Sequence, residues 1–258
     1  MKKIFQITVI LLSAIVCSSC LFDYDNYDGP NATLKGAITD MQGNPLNVEA
    51  GGGIRIKLLD YGSSENPKEQ YLKVKMDGTY INTKIFESTY DIVAEGPFVP
   101  LVQIDDEGNV IVDNTRKGVK VSGTTEVNFQ VEPFLKVEWD AEPTFVNGIM
   151  TASFKITRGT ENVDYQKDVY DVGLFVSTTQ YVGENNYDSR ISVKEADKAV
   201  ATAMIGNSAS LTTLSTYPML SGHTYYIRVG ARMDYAFSFG SSYLYNYTNV
   251  KKIVVPTY

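Results

Sequence analysis

From residue 32 onward the chain is a series of short apolar-alternating runs separated by turn residues. "ATLKGAITD" leads into "MQGNPL", where Gly43, Asn44 and Pro45 mark a turn. "GIRIKLLDY" places apolar side chains two apart and ends in the polar loop "GSSENPKE". "YLKVKM" runs into "DGTY", where Asp77-Gly78 predicts a hairpin. "TYDIVAEG", "LVQI", "VIVDN" and "TTEVNFQVEP" follow, and "DDEGN" between "LVQI" and "VIV" predicts a second hairpin. Past residue 133, "FLKVEW", "IMTASFKITRG", "VYDVGLFVSTT", "HTYYIRVGARMDY" and "YNYTNVKKIVV" read as further strands. "SVKEADKAVATAM" is different: its Ala, Lys and Glu favour a short helix. Many short strands at this spacing predict an all-β fold of two β-sandwich domains in tandem, residues 32–133 and 134–258.

The pattern changes before residue 32. Lys2 and Lys3 precede an apolar run over residues 4–16, and Ser18, Ser19 and Cys20 follow it. That is the layout of a secretory signal with a small-residue cleavage site. The run is shorter than the ~20 residues that span a bilayer. With Cys directly after two serines, residues 1–19 resemble a bacterial lipoprotein signal peptide, which implies cleavage before Cys20 and lipid on its thiol. Cys17 and Cys20 also spell C-x-x-C, but redox or zinc use needs a folded βα context or two further ligands, and the chain has no other cysteine. Asp23, Asp25 and Asp28 then form an acidic tether over residues 20–31. The stretch is similar to the signal that sends Bacteroidetes lipoproteins to the outer face of the outer membrane. A solvated spacer accounts for the same composition, and a calcium loop lacks its Gly turn and distal Glu. The expected location is the outer membrane, lipid-anchored and facing the exterior.

Charge narrows the partners. Residues 21–133 carry 18 acidic and 10 basic side chains, and residues 134–258 carry 12 and 11. Nucleic acid is excluded as an expected partner, because phosphate binding needs a basic face. Anionic headgroups repel the first half, so membrane contact is expected through the N-terminal lipid only.

Gly36, Asp40, Gly43, Pro45 and Leu46, then Asp77-Gly78-x-Tyr80 and the strand from Tyr90 to Gly96, resemble the carboxypeptidase-regulatory or transthyretin-like domain. The likeness spans residues 32–133, with a longer loop at 63–69 and an extra stretch at 97–120. Such domains are usually non-catalytic scaffolds, and the resemblance carries over no active-site residue. "VGLFVSTT", with Gly222, Thr224, Tyr225, Tyr226, Arg228 and Ala231, resembles the third and sixth strands of fibronectin-type-III-like domains in Bacteroidetes surface proteins. The order of parts resembles a Bacteroidetes lipoprotein family of unknown function. Its members tend to be encoded with SusC-like transporters and SusD-like glycan-binding lipoproteins. That likeness implies a role in nutrient capture and identifies no ligand; a glycan and a SusC/SusD-type outer-membrane complex are the expected partners.

Catalytic chemistry is not expected. His223 is the only histidine, it sits in the turn "SGHT", and no G-x-S-x-G elbow accompanies it. Metal and cofactor sites are likewise not expected, since zinc would have to be held almost wholly by carboxylates. Asp105, Asp106 and Glu107 fall in a hairpin turn, and Asp164, Asp168 and Asp171 in a charged stretch flanking a strand. "GGG" at 51–53 lacks the Lys-Ser/Thr of a phosphate loop.

Aromatic spacing is the better lead. Tyr235, Phe237 and Phe239 stand two apart, Gly240 turns the chain, and Tyr243, Tyr245 and Tyr247 repeat the spacing. Period two puts each trio on one strand face. Across a hairpin the six would form a platform for sugar rings, with Asn246 and Asn249 bonding hydroxyls. Core packing of the same rings is the competing reading. Tyr181 and Tyr187 are looser candidates, and Trp139 suits a sandwich core or a domain junction. The function expected is a non-catalytic surface lipoprotein accessory to glycan uptake. The alternative is a pilus or adhesin subunit, whose terminal strand "VKKIVVPTY" would swap between chains.

Overall fold

The computed structural model describes residues 29–237, 239 and 243–258. Cys20, the leader, most of the tether and the turn at 240–242 lie outside the described residues.

The first domain contains β1 (Ala32–Thr39), β2 (Arg55–Asp60), β3 (Gln70–Lys73), β4 (Thr79–Ile85), β5 (Ser88–Glu95), β6 (Val102–Ile104), β7 (Val110–Asp113), β8 (Arg116–Val121), β9 (Thr124–Glu126) and β10 (Phe129–Gln130). One sheet sets β1 between antiparallel β4 and the parallel strands β9 and β10. The other runs β3-β2-β5-β8, antiparallel throughout. Alternation decides which side chains go in: on β2, Ile56, Leu58 and Asp60 are buried while Arg55, Lys57 and Leu59 are only half-buried. Leu34, Ile38, Ile56, Leu58 and Ile92 are fully buried in the core between the sheets. Each such side chain contributes roughly 1.5–3 kcal/mol relative to exposure.

Asp77-Gly78 does make a tight turn, closed by Lys75 N–H on the Thr79 carbonyl at 2.8 Å. It does not close a hairpin. β3 pairs with β2 and β4 pairs with β1, so the turn carries the chain from one sheet to the other. Gly78 has φ 77, and a Cβ there would lie 2.7 Å from the Ile38 carbonyl oxygen, so only glycine fits. The "DDEGN" turn is a true hairpin between β6 and β7, with the Asp105 carboxylate accepting from Asn109 N–H at 2.7 Å.

The second domain contains β11 (Leu135–Trp139), β12 (Thr144–Val146), β13 (Ile149–Arg158), β14 (Val169–Ser177), β15 (Val193–Glu195), α1 (Lys198–Ala203), β16 (Ser208–Thr212), β17 (Thr224–Met233), β18 (Tyr245–Tyr247) and β19 (Lys251–Val254). β13 lies between β16 on one edge and β11 and β12 on the other. The facing sheet runs β15-β14-β17, with β18 and β19 side by side on the far edge of β17. The terminal strand thus pairs within its own chain. Phe154, Ile156, Leu174, Ile227 and Val229 are buried in the core between these sheets. The helix forms where the Ala-rich stretch favours it. Its N-cap Asp197 accepts from Ala199 and Val200 N–H, and it buries Ala201 against β14. Trp139 is half-buried on this core and donates its indole N–H to the Asn249 carbonyl at 3.0 Å.

The β14–β17 sheet is covered on both faces. On its outer side Phe175, Val182, Tyr245 and Tyr247 form a third cluster. The residues that cover it include Val48 and Glu49 of the first domain, which places the domain junction over this face.

Candidate functional site

The six aromatic residues singled out by their spacing do not form one platform. β17 pairs directly with β18, and residues 234–237 are not in a strand, so the described residues do not form the expected two-trio hairpin. Tyr245 and Tyr247 are each 3% exposed. The Tyr245 hydroxyl donates to Asp171 at 2.6 Å, and that carboxylate also takes the Arg232 guanidinium at 2.6 and 2.9 Å. The Tyr247 hydroxyl donates to Glu49 across the domain junction. Gly230 lies opposite Tyr247, and a Cβ there would fall 2.6 Å from its ring. Burial, followed by the neighbouring carboxylate, pushes both phenols well above the ordinary tyrosine value.

Tyr235 and Phe237 turn back onto Phe134, with ring centroids 5.0 and 6.0 Å away. Phe239 lies over Arg55, whose guanidinium is 4.0 Å from its ring and 3.9 Å from the ring of Tyr71. Tyr243 stacks on Tyr170 at 4.2 Å. These rings therefore serve three separate contacts. The partners Phe134, Arg55 and Tyr170 are distant in sequence, which local spacing does not record. Asn246 is buried too: its amide joins the Pro97 carbonyl to Leu135 N–H at 3.0 and 3.2 Å.

Of the carboxylates weighed for catalysis, Asp105 and Asp171 are engaged locally. Asp105 caps its hairpin, and Asp171 is held by Arg232 and Tyr245. His223 is an exposed turn residue with Nδ1 3.1 Å from the Ser221 carbonyl. Among the described residues no group of three His, Cys, Asp or Glu could hold a metal ion. No helix among them is long and apolar enough to cross a membrane.

An open cleft of about 760 Å³ lies at the junction of the domains. The first domain supplies Lys73 at the end of β3, then Lys75 and Asp77 on the turn that follows, with Asn47 opposite. The second supplies Gln180 and Tyr181 from the loop after β14, Tyr226 and Arg228 from β17, and Lys252 from β19. Tyr226 and Lys252 are cross-strand neighbours. Tyr181 is 58% exposed. Its loop is fixed by Asn186, whose amide donates to Thr179 Oγ1 at 2.7 Å and to the Tyr181 carbonyl at 3.1 Å. The ring is thus presented from a braced backbone, which lowers the ordering cost of binding.

Arg228 is fully buried. Its Nε donates to the Thr248 carbonyl at 3.0 Å and its Nη1 to the Val48 carbonyl at 2.9 Å, while the guanidinium stacks 4.0 Å from the Tyr247 ring. Burial lowers its pKa to about 10, so it is charged at neutral pH. Nη2 has no partner among the described residues. Beside it, Glu49 accepts from Glu184 N–H at 2.8 Å as well as from Tyr247. A Cβ on Gly183 would lie 2.5 Å from that carboxylate, so a side chain there would displace Glu49.

Sequence reasoning named Tyr181 as a candidate, gave Tyr226 and Arg228 only a place in a strand, and did not single out Lys73, Lys75 or Lys252. One signal was present: "VGLFV" in β14 is continuously apolar, the mark of a strand buried on both faces. Its neighbour β17 must then bury Arg228.

Fold and site together define a two-domain β protein with a ligand-sized cleft at its domain junction. The chain belongs to the DUF3823 family: the family's "Protein of unknown function (DUF3823) N-terminal domain" matches residues 32–132, and its "Domain of unknown function (DUF3823_C)" matches residues 140–252. A DUF3823 family protein from Bacteroides uniformis is 28% identical, with a TM-score of 0.80 over 88% of this chain and 100% of its own. A second B. uniformis structure, named as a candidate carbohydrate binding protein, is 24% identical with a TM-score of 0.69 over 88% and 100%. A family member from Parabacteroides merdae is 23% identical with a TM-score of 0.62 over the same shares. No curated protein matches the chain.

Proposed function

We propose that this protein is a non-catalytic carbohydrate-binding lipoprotein, anchored through Cys20 on the outer face of the outer membrane, and that the interdomain cleft is its binding site. In that reading the first domain is a carboxypeptidase-regulatory-like scaffold, the second is fibronectin-like, and the pair serves glycan capture beside SusC/SusD-type partners. The observation that carries the binding reading is the cleft itself. It presents an exposed, braced Tyr181 and a half-buried Tyr226 next to the amides of Asn47 and Gln180. Sugar rings offer apolar C–H faces to such aromatics and hydroxyls to such amides. The B. uniformis relative named for carbohydrate binding is in keeping with this reading, but at 24% identity that likeness speaks for the fold alone.

Native affinity electrophoresis of residues 21–258 against plant, microbial and host polysaccharides tests it. Retardation by at least one glycan, lost in a still-folded Tyr181→Ala/Tyr226→Ala variant, is the expected result. Retardation unchanged in that variant moves the site away from the cleft, and none across the panel sinks the carbohydrate reading.

A further inference from the structure

The cleft has an electrostatic character opposite to that of the molecule around it. The chain carries a formal net charge of -7. Yet Lys73, Lys75, Lys252 and Arg228 line the cleft against the single carboxylate of Asp77. That carboxylate is already occupied in its own turn, accepting from Thr79 N–H at 3.0 Å and Thr79 Oγ1 at 2.7 Å. None of Lys73, Lys75 and Lys252 forms an ion pair with another described residue, whereas ten other cationic side chains do. The three come from β3, the following turn and β19, so only the meeting of the two domains gathers them.

Arg228 adds an independent observation. A buried guanidinium normally has its donors met, because an unpaired one costs the full desolvation of the group. Here two nitrogens are satisfied by carbonyls and Nη2 is not. Among the described residues no carboxylate forms an ion pair with it; the charge of Glu49 acts on it from nearby, while the Glu49 oxygens accept from Tyr247, Glu184 and Asn185. Arg228 therefore leaves an unmet donor at the cleft wall, while its charge is offset in part by the neighbouring Glu49 carboxylate.

We infer that the cleft selects an anionic saccharide, one bearing carboxylate or sulfate groups, with Tyr181 and Tyr226 against the ring face and Lys73, Lys75 and Lys252 around the anion. This rests on the cleft being a saccharide site, and it adds the class of saccharide. A chain of net negative charge has no general attraction for polyanions, so binding of one requires a local basic site.

The test pairs each charged polymer with its neutral counterpart: galactan with polygalacturonate, and dextran with dextran sulfate. Affinity electrophoresis of residues 21–258 is run against all four at low and at near-physiological salt. The expected result is retardation by polygalacturonate, dextran sulfate or both, stronger at low salt, and by neither neutral polymer. Lys73→Ala/Lys252→Ala should weaken it roughly tenfold or more. Lys120→Ala, an exposed lysine remote from the cleft lining, should leave it unchanged. Which charged polymer is bound separates carboxylate from sulfate. Retardation by a neutral polymer alone, abolished by Tyr181→Ala/Tyr226→Ala, overturns the anionic selection and leaves the carbohydrate reading standing. Charged-polymer binding equally reduced by Lys120→Ala, or untouched by the cleft variant, shows ion exchange at the general surface and also overturns it. No retardation by any polymer overturns both. A melting curve for each variant confirms that it folds.

Discussion

Tyr247 and Glu49 join the two domains through one buried contact, with the Glu184 N–H donating to both. A hydrogen bond to a charged group in such a place is worth about 1.5–3 kcal/mol. Tyr247→Phe keeps the ring stacked on Arg228 and removes only the hydroxyl, so denaturant unfolding should show a loss in that range. A change below about 0.5 kcal/mol would mean that water replaces the bond freely. The same residues set an alkaline limit. Tyr245 and Tyr247 have pKa values raised above the ordinary ~10. The stability they contribute is fully present below about pH 10 and is lost as pH rises toward their folded-state values. Tyr80 and Tyr90 titrate in the same direction, Tyr90 at about 12. Arg228, depressed to about 10, acts oppositely, since above that pH its burial costs less. Four phenols outweigh one guanidinium, so the melting temperature should be flat from pH 7 to 9 and fall above 10. Tyr245→Phe/Tyr247→Phe should shallow the fall; an identical slope would assign it to other groups.

Strands differ in how firmly the rest of the fold holds them. β14 and β17 pair over eight positions and are buried on both faces. Among the described residues β6 and β7 pair only with each other, and Ile104, Val110 and Ile111 are 64, 59 and 62% exposed. A two-stranded ribbon with no sheet beside it opens without disturbing a core. Amide hydrogen exchange should therefore be fastest at β6–β7 and slowest at β14–β17, and comparable protection would show that the ribbon is covered. This difference in covering also marks what the sequence made legible. Alternation located most strands and one inward face of each, as at Ile56 and Leu58. It did not say whether the other face meets water or protein, because period two is the same in both cases. Tyr245 and Tyr247 read as a possible exposed row for that reason. The Asp77-Gly78 turn was visible, but its crossing between sheets depends on Gly78 fitting against Ile38 and Leu46, which no local pattern records. The cleft was least legible, since Lys73 and Lys252 meet only when the domains dock.

Several polar and aromatic contacts tie the two domains across their junction. Besides Tyr247–Glu49, the Asn246 amide ties Pro97 to Leu135. Thr160 Oγ1 donates to Glu132 at 2.5 Å, Lys136 pairs with Asp40 at 3.4 Å, and Phe239 covers Arg55. The outer face of the β14–β17 sheet is apolar and aromatic, and without the first domain Tyr247 would lose its hydrogen bond to Glu49. A cleft built from both domains keeps its shape only if that contact holds, which gives the interface a functional consequence as well as a structural one. Calorimetry of the full chain should show a single unfolding transition whose van't Hoff and measured enthalpies agree. Glu49→Ala/Asn246→Ala removes two of the polar ties and leaves both cores intact, so its melt should separate into two transitions. Saccharide binding should weaken in the same variant while Tyr181, Tyr226 and the three lysines are unchanged. Two transitions already present in the unaltered chain would mean that the domains move independently and that the cleft is assembled only by its ligand.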